Sequence, residues 1–548
     1  MPDTPALQLE SLSLDYRAGR RPVRALDDVS FSVARGEIVA LVGESGSGKS
    51  TIANAATGLL PLGATVASGR IAIDGTDVTA LSESRWSRIR GRKVGLIPQD
   101  PGSSLTPVLT IGAQVAEIFA IRGERLDRAQ RRARSLELLE IAEVSRAADR
   151  LTQYPHELSG GLKQRILIAI AFGLNPALLV ADEPTSALDV TVQKQILRVL
   201  DRLAAEHGTS VLFVTHDLAL ATDHAARALV LQRGRLVEDA PVERIVRSPG
   251  VDYTRELIAH ARATQSAPPP AASAVTSSPV LEVRGLSKTF PGRRGAEAVK
   301  AVDDVSFSLA EGRTLALVGE SGSGKSTTAR MILRLLDPTA GEVRLAGRDV
   351  TRLAGRDRLA LWRTVQLVYQ NPDSALDPRW SVERIVAEPL AALGSTSARE
   401  RRARVEELLD AVSLPDGAID KRPGELSGGQ RQRVAIARAL APRSSLVVLD
   451  EALSALDVIT QERVLQLIER IQREHGVSYL FISHDLSTVR RLAHDVVVLR
   501  AGRIVEQGAS RDVFTAPRTD YVRELLDAVP GRRLLADDAT TPTAEESR

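Results

Sequence analysis

The chain is written twice. Residues 41–51 return unchanged as residues 317–327. Leu158-Ser159-Gly160-Gly161 returns as Leu426-Ser427-Gly428-Gly429, Ser186-Ala187-Leu188-Asp189 as Ser454-Ala455-Leu456-Asp457, and Thr215-His216-Asp217-Leu218 as Ser483-His484-Asp485-Leu486. The order is the same in both halves, and from the second motif onward the spacing holds at 268 residues. A repeat on this scale dictates two tandem copies of one folding unit. The units are expected at 6–260 and 280–530. An Ala/Pro/Ser-rich linker over 261–279, with Pro268-Pro269-Pro270, lies between them. A polar tail over 531–548 reads as disordered.

Short apolar runs precede the motifs in each half: 38–42 and 315–318, 178–181 and 446–449, 211–214 and 479–482. Continuous apolar strands alternating with helical stretches predict an α/β fold with a buried, mainly parallel sheet. The Arg-rich stretches 126–140 and 397–412 read as helices with a solvated charged face. Only 3% of residues are aromatic, so the cores are built from Leu, Val, Ile and Ala.

Charge and cysteine usage narrow the function. The 72 basic and 69 acidic residues leave +3, and all but eight of the basic residues are Arg. That is a compositional bias, not a nucleic-acid footprint. With no cysteine, disulfides, thiolate zinc sites and cysteine-held iron–sulfur clusters are excluded. No secretory leader and no membrane-spanning apolar run is visible, so the chain is expected inside the cell, with other subunits spanning any membrane it serves.

The chemistry lies in the repeated motifs. Gly43, Ser45, Gly46, Gly48, Lys49, Ser50 and Thr51 fit a phosphate-cradling loop between strand and helix, and Gly319, Ser321, Gly322, Gly324, Lys325, Ser326 and Thr327 repeat it. The glycines let backbone amides point at phosphate, Lys49 and Lys325 neutralise it, and Ser50 and Ser326 ligate Mg²⁺. Asp182-Glu183 and Asp450-Glu451 end apolar strands. Asp182 and Asp450 would hold Mg²⁺ through its water shell, and Glu183 and Glu451 would polarise the attacking water.

With Leu-Ser-Gly-Gly in both halves, the sequence resembles the ABC ATPases, a P-loop NTPase family. The resemblance implies that each domain has a mainly parallel core sheet, an antiparallel β edge and a helical subdomain. It implies two domains arranged head to tail. Lys49, Asp182, Glu183 and His216 would then work with Ser427, Gly428 and Gly429, and Lys325, Asp450, Glu451 and His484 with Ser159, Gly160 and Gly161. His216 and His484 match the family's switch histidine. Gln99 and Gln370 match the glutamine that reaches Mg²⁺ and the attacking water. Tyr16 and Phe290, each expected on an edge strand, match the aromatic that stacks on adenine.

The flanks resemble one group within the family. Gln99-Asp100-Pro101 with Ser104-Leu105-Thr106-Pro107 is similar to a stretch of dipeptide, oligopeptide and nickel importers, and Gln370-Asn371-Pro372 with Ala375-Leu376-Asp377-Pro378 is a looser copy. Tyr154-Pro155-His156-Glu157 and the paired Asp252-Tyr253 and Asp520-Tyr521 fit the same group. The resemblance implies two membrane-spanning permease subunits, an extracytoplasmic substrate-binding protein and a place on the cytoplasmic face of the membrane. Three departures stand out. Leu162-Lys163 follows the first signature. Ala452-Leu453 replaces Pro-Thr after Glu451, which predicts a looser loop there. The cysteines that many such importers carry are missing. The alternatives are an exporter's ATPase subunit and a soluble twin ATPase acting on ribosomes or nucleic acid, whose halves are usually joined by a long charged helix.

Overall fold

The computed structural model describes residues 4–18, 21–186, 188–270, 278–291, 298–353, 355–394, 397–454, 456–531 and 534. Residues 271–277 of the expected linker and most of the expected tail lie outside these residues, as do Ala187 and Ala455. The helix Asp252–Ser266 runs into the stretch read as linker, and the strand Pro279–Phe290 begins at its last residue.

The first half contains two sheets. One is antiparallel, in the order Arg21–Val33, Leu7–Ala18, Ala64–Ile73, Thr76–Asp77. The other has six strands, in the order Arg235–Pro241, Arg227–Gln232, Ile38–Val42, Ser210–Val214, Leu178–Asp182, Val94–Ile97. It is parallel except for the first pair. Its central strands are buried on both faces, which is why they read as unbroken apolar runs. The order shows that the motif-bearing strands Ile38–Val42 and Leu178–Asp182 flank Ser210–Val214. All three loops therefore open at the same edge, where the strands of a parallel sheet end.

The second half repeats this plan. The antiparallel sheet runs Val299–Ala310, Pro279–Phe290, Ala340–Leu345, Arg348–Asp349, and the six-stranded sheet Val365–Val368, Leu446–Asp450, Ser478–Ile482, Thr314–Val318, Asp495–Arg500, Arg503–Ala509. Helices Ile111–Arg122, Arg128–Ile141 and Gly160–Phe172 form a helical part with its own core around Ile111, Val115, Leu139 and Ile166. Val382–Ala392, Ala398–Ala411 and Gly428–Leu440 match them in the second half.

The expected α/β architecture, parallel core sheets and Arg-rich helices are all present. The strands carrying Tyr16 and Phe290 differ from expectation. Each lies inside its antiparallel sheet, paired on both sides, and is not an edge strand. Among the described residues, no helix is long and apolar enough to cross a membrane.

Candidate functional site

In the first half the strand Ile38–Val42 turns into the helix Lys49–Thr57 through a loop that only glycine can build. Gly43 sits at φ 155°, and a β-carbon there would lie 2.2 Å from the carbonyl oxygen of Leu231. Gly48 begins the helix in a left-handed conformation, φ 109°. Lys49 is buried, and its Nζ donates to the carbonyls of Gly43 (2.7 Å) and Glu44 (2.8 Å). The ammonium is thus held inside the loop where phosphate oxygens would lie. Lys325 repeats this on Gly319 (2.7 Å) and Glu320 (2.8 Å). Ser45, Gly46 and Ser50 line the exposed rim, as do Ser321 and Gly322 in the second half.

Asp182 and Glu183 stand at the end of the strand Leu178–Asp182, across Ser210–Val214 from the phosphate loop's strand, and are only part-exposed. Burial and the carboxylate of Glu183 push Asp182 up to about 6, against the pull of Lys49. Asp182 Oδ1 is buried, without a hydrogen-bond partner among the described residues. Such an oxygen suits a hard divalent cation. In the second half Ser326 Oγ lies 3.2 Å from Asp450 Oδ1, which brings the two expected Mg²⁺ oxygens together. Burial and Glu451 likewise raise Asp450. Among the described residues no cluster of three His, Cys, Asp or Glu side chains could hold a metal. A cation here would thus rely on water and phosphate for most of its ligands, as Mg²⁺ does.

Glu183 is where separate elements converge. Its carboxylate accepts from Gln99 Nε2 at 2.8 Å and lies 3.0 Å from His216 Nδ1. Burial would raise its pKa, but His216, Lys49 and Gln99 hold it below the ordinary carboxylate range. Burial opposes a charge on His216, yet the contact with Glu183 raises its pKa. Glu451 is gripped alike, by Gln370 Nε2 at 2.6 Å and His484 Nδ1 at 3.5 Å. Both glutamines therefore turn their amides to the glutamates.

Two features escaped the sequence. Glu183 and Glu451 both adopt a left-handed backbone, φ 45° and 48°, and each donates its amide to the strand that precedes the histidine. Conformations of this kind in a residue with a β-carbon persist only where the surroundings impose them, often at functional sites. The near-identity of the two angles shows that the turn keeps its form with Ala452 in place of Pro184. Ala452 and Leu453 are buried at 3% and 4% exposure, so packing replaces the restraint of Pro184. The second feature is a tyrosine under each phosphate loop: Tyr253 Oη accepts from Glu44 N at 3.1 Å, and Tyr521 Oη from Glu320 N at 3.3 Å. The repeated Asp-Tyr was the available signal.

Ser159 caps the helix Gly160–Phe172, and Ser427 caps Gly428–Leu440, so each signature stands at a helix start, with both serines exposed. A β-carbon on Gly161 or Gly429 would lie 2.6 Å from Val192 or 2.3 Å from Thr460. Tyr16 reaches the first phosphate loop, with its hydroxyl 3.2 Å from Thr51 Oγ1. Phe290 is exposed, with Lys288 Nζ 5.4 Å from its ring centre. Beside Gln370, a groove of about 630 Å³ is lined by Leu335, Leu359, Trp362, Tyr369, Pro389 and Arg438.

A family model described as ABC transporter matches residues 26–186 and again 302–454. The chain is 41% identical to the oligopeptide transport ATP-binding protein OppD of Mycobacterium tuberculosis (strain ATCC 25618 / H37Rv), over 96% of this chain and 98% of that protein. It is 42% identical to the peptidoglycan transport ATP-binding protein YejF of Agrobacterium fabrum (strain C58 / ATCC 33970), over 96% of each. To the glutathione import ATP-binding protein GsiA of Escherichia coli (strain K12) it is 39% identical, over 97% of this chain and 92% of that protein.

Proposed function

This chain belongs to the ABC transporter family and is an ATPase, and from that premise we propose that it powers the import of peptides, acting at the cytoplasmic face of the membrane with two permease subunits and an extracytoplasmic binding protein. The relatives named for oligopeptide, peptidoglycan and glutathione transport match nearly the whole chain, which supports the peptide class.

The observation that carries the catalytic reading is the grip of Gln99 and His216 on Glu183, repeated by Gln370 and His484 on Glu451. In this reading Lys49 and Lys325 turn from their own loop carbonyls to the β- and γ-phosphates. Ser50 with Asp182, and Ser326 with Asp450, hold Mg²⁺, which when bound offsets the phosphate charge. Glu183 and Glu451 orient water and take its proton, while His216 and His484 fix each carboxylate. The signature amides at Ser159-Gly160-Gly161 and Ser427-Gly428-Gly429 bind the γ-phosphate, in the head-to-tail pairing that the family implies.

Glu183→Gln with Glu451→Gln keeps the side-chain shape and removes the base. The double variant is expected to bind two ATP and to lose hydrolysis by about 100-fold or more, in the range of general-base contributions. Near-normal turnover in a phosphate-release assay overturns the assignment. Of the single variants, Glu183→Gln is expected to cost more, because its histidine contact is the shorter (3.0 against 3.5 Å). The reverse order refutes that ranking.

A further inference from the structure

The two halves differ in one hydrogen-bonded position beside the site. Gln193 and Gln461 occupy the same place in the repeat, on the helices Val190–His207 and Val458–His475. Gln193 Nε2 donates to Thr185 Oγ1 at 3.1 Å. Thr185 lies two residues beyond Glu183 in the left-handed turn and is buried; its backbone carbonyl accepts from Leu188 N, as the carbonyl of Leu453 does from Leu456 N. Leu453 stands where Thr185 does and offers no side-chain oxygen. Gln461 Nε2 turns instead to Thr488 Oγ1 at 2.9 Å and Asp485 Oδ2 at 3.1 Å. Asp485 follows His484 and caps the helix Leu486–Leu492, accepting from Ser487 N and Thr488 N, and Thr488 Oγ1 donates to it. Leu220 stands in the place of Thr488 in the first half. One buried hydroxyl has thus changed sides: Thr with Leu at 185 and 220, Leu with Thr at 453 and 488.

We infer that Gln193 and Gln461 are positioning residues that act on opposite members of the two Glu–His pairs. Gln193 fixes the turn of the water-activating Glu183. Gln461 fixes the cap behind the switch residue His484. The inference rests on the catalytic reading proposed above. Its physical basis is that the buried hydroxyls of Thr185 and Thr488 must be satisfied, so the half-buried Gln facing a choice of two loops follows the hydroxyl. The Glu turn in the second half is held by other means: Ser454 Oγ donates to Glu451 O at 2.9 Å, and Ala452 and Leu453 pack into the core. The two ATPase sites are therefore tuned through different loops.

Double-mutant cycles on the full chain test this, with kcat, ATP KM and Tm as readouts. Gln193→Leu, Thr185→Leu, Gln461→Leu and Thr488→Leu are each expected to lower kcat about three- to tenfold with KM within about twofold, as small misplacements of reacting groups do. Gln193→Leu with Thr185→Leu, and Gln461→Leu with Thr488→Leu, should each be no worse than the worse single change, the mark of coupled partners. Thr185→Ser and Thr488→Ser keep the acceptor oxygen and should keep kcat. Leu453→Thr should rescue Thr488→Leu by giving Gln461 the partner that Gln193 has. Independent, multiplying losses overturn the inference, as do serine variants that fall as far as leucine, or a lowered Tm with kcat unchanged. If Glu183→Gln and Glu451→Gln lose turnover while the cycles are additive, only the positioning role fails. If those two variants retain turnover, the catalytic reading itself fails.

Discussion

At the scale of the residue, the sequence announced each group that carries charge into the site but not how it is held. Lys49, Asp182, Glu183 and His216 could be picked out because phosphate chemistry needs those types at strand ends. The left-handed turn at Glu183 and the tyrosine 209 residues from Glu44 could not, because each depends on a partner brought close only by folding. Tyr479 is a further case, and it has a measurable consequence. Its ring lies in the core at 2% exposure, its hydroxyl has no hydrogen-bond partner among the described residues, and burial holds the phenol well above its ordinary pKa. Val211 takes its place in the first half. An unpaired buried hydroxyl costs about 1–3 kcal/mol. Tyr479→Phe is therefore expected to leave ATPase activity unchanged and to raise stability by about 1 kcal/mol in denaturant unfolding. A loss of stability would show that the hydroxyl is satisfied in solution.

At the scale of the element, the strands were legible because both faces are buried, but strand order was not. Periodicity is the same for an edge strand and an inner one, which is why Tyr16 and Phe290 were placed on edges. Ion pairs between neighbouring strands were equally hidden, and one of them is inverted between the halves. Arg227, which begins the strand Arg227–Gln232, pairs with Glu37 at 2.8 Å and with Asp239 at 2.8 Å. At the matching place Arg313 pairs with Asp495 at 3.1 Å, and Gln507 stands for Asp239. Glu37→Arg alone sets two guanidinium groups together. It should destabilise by about 1–3 kcal/mol, below the range for a fully buried pair because these side chains are near one-fifth exposed. Adding Arg227→Asp should recover part of the loss, and Asp239→Gln the rest. A double variant no better than the single one would refute the exchange. Burial raises the Glu37 pKa, but Arg227 and the Ala34 amide hold it below its ordinary value. The stabilisation is therefore complete above about pH 4.3 and is lost as pH falls through the depressed folded value. Glu37→Gln should flatten this acid limb of the stability curve.

At the scale of the whole molecule, the repeat made the two-domain plan readable, while the partner surface depends on elements that meet only in the fold. The groove beside Gln370 gathers residues from the stretch that follows the helix Lys325–Ile332, from the helix Arg356–Thr364 and from the helix Val382–Ala392. Leu335 and Leu359 stay 52% and 40% exposed on its rim, and Tyr369, next to Gln370, 46%. Apolar side chains clustered around a cleft and left to water mark a docking surface. In the proposed transporter its occupant is a cytoplasmic segment of a permease subunit. A segment seated there would touch the loop whose glutamine grips Glu451, so its movement would reach the catalytic carboxylate directly. Leu335→Glu with Leu359→Glu places two charges on this rim without touching the site. The isolated chain should keep its ATPase rate and Tm within error, because both side chains are exposed. Co-purification with the permeases from membranes should fall at least about tenfold, and stimulation by a loaded binding protein should vanish with it. A variant that still assembles and is still stimulated would move the docking surface elsewhere. A loss of basal ATPase would show that the groove belongs to the catalytic core.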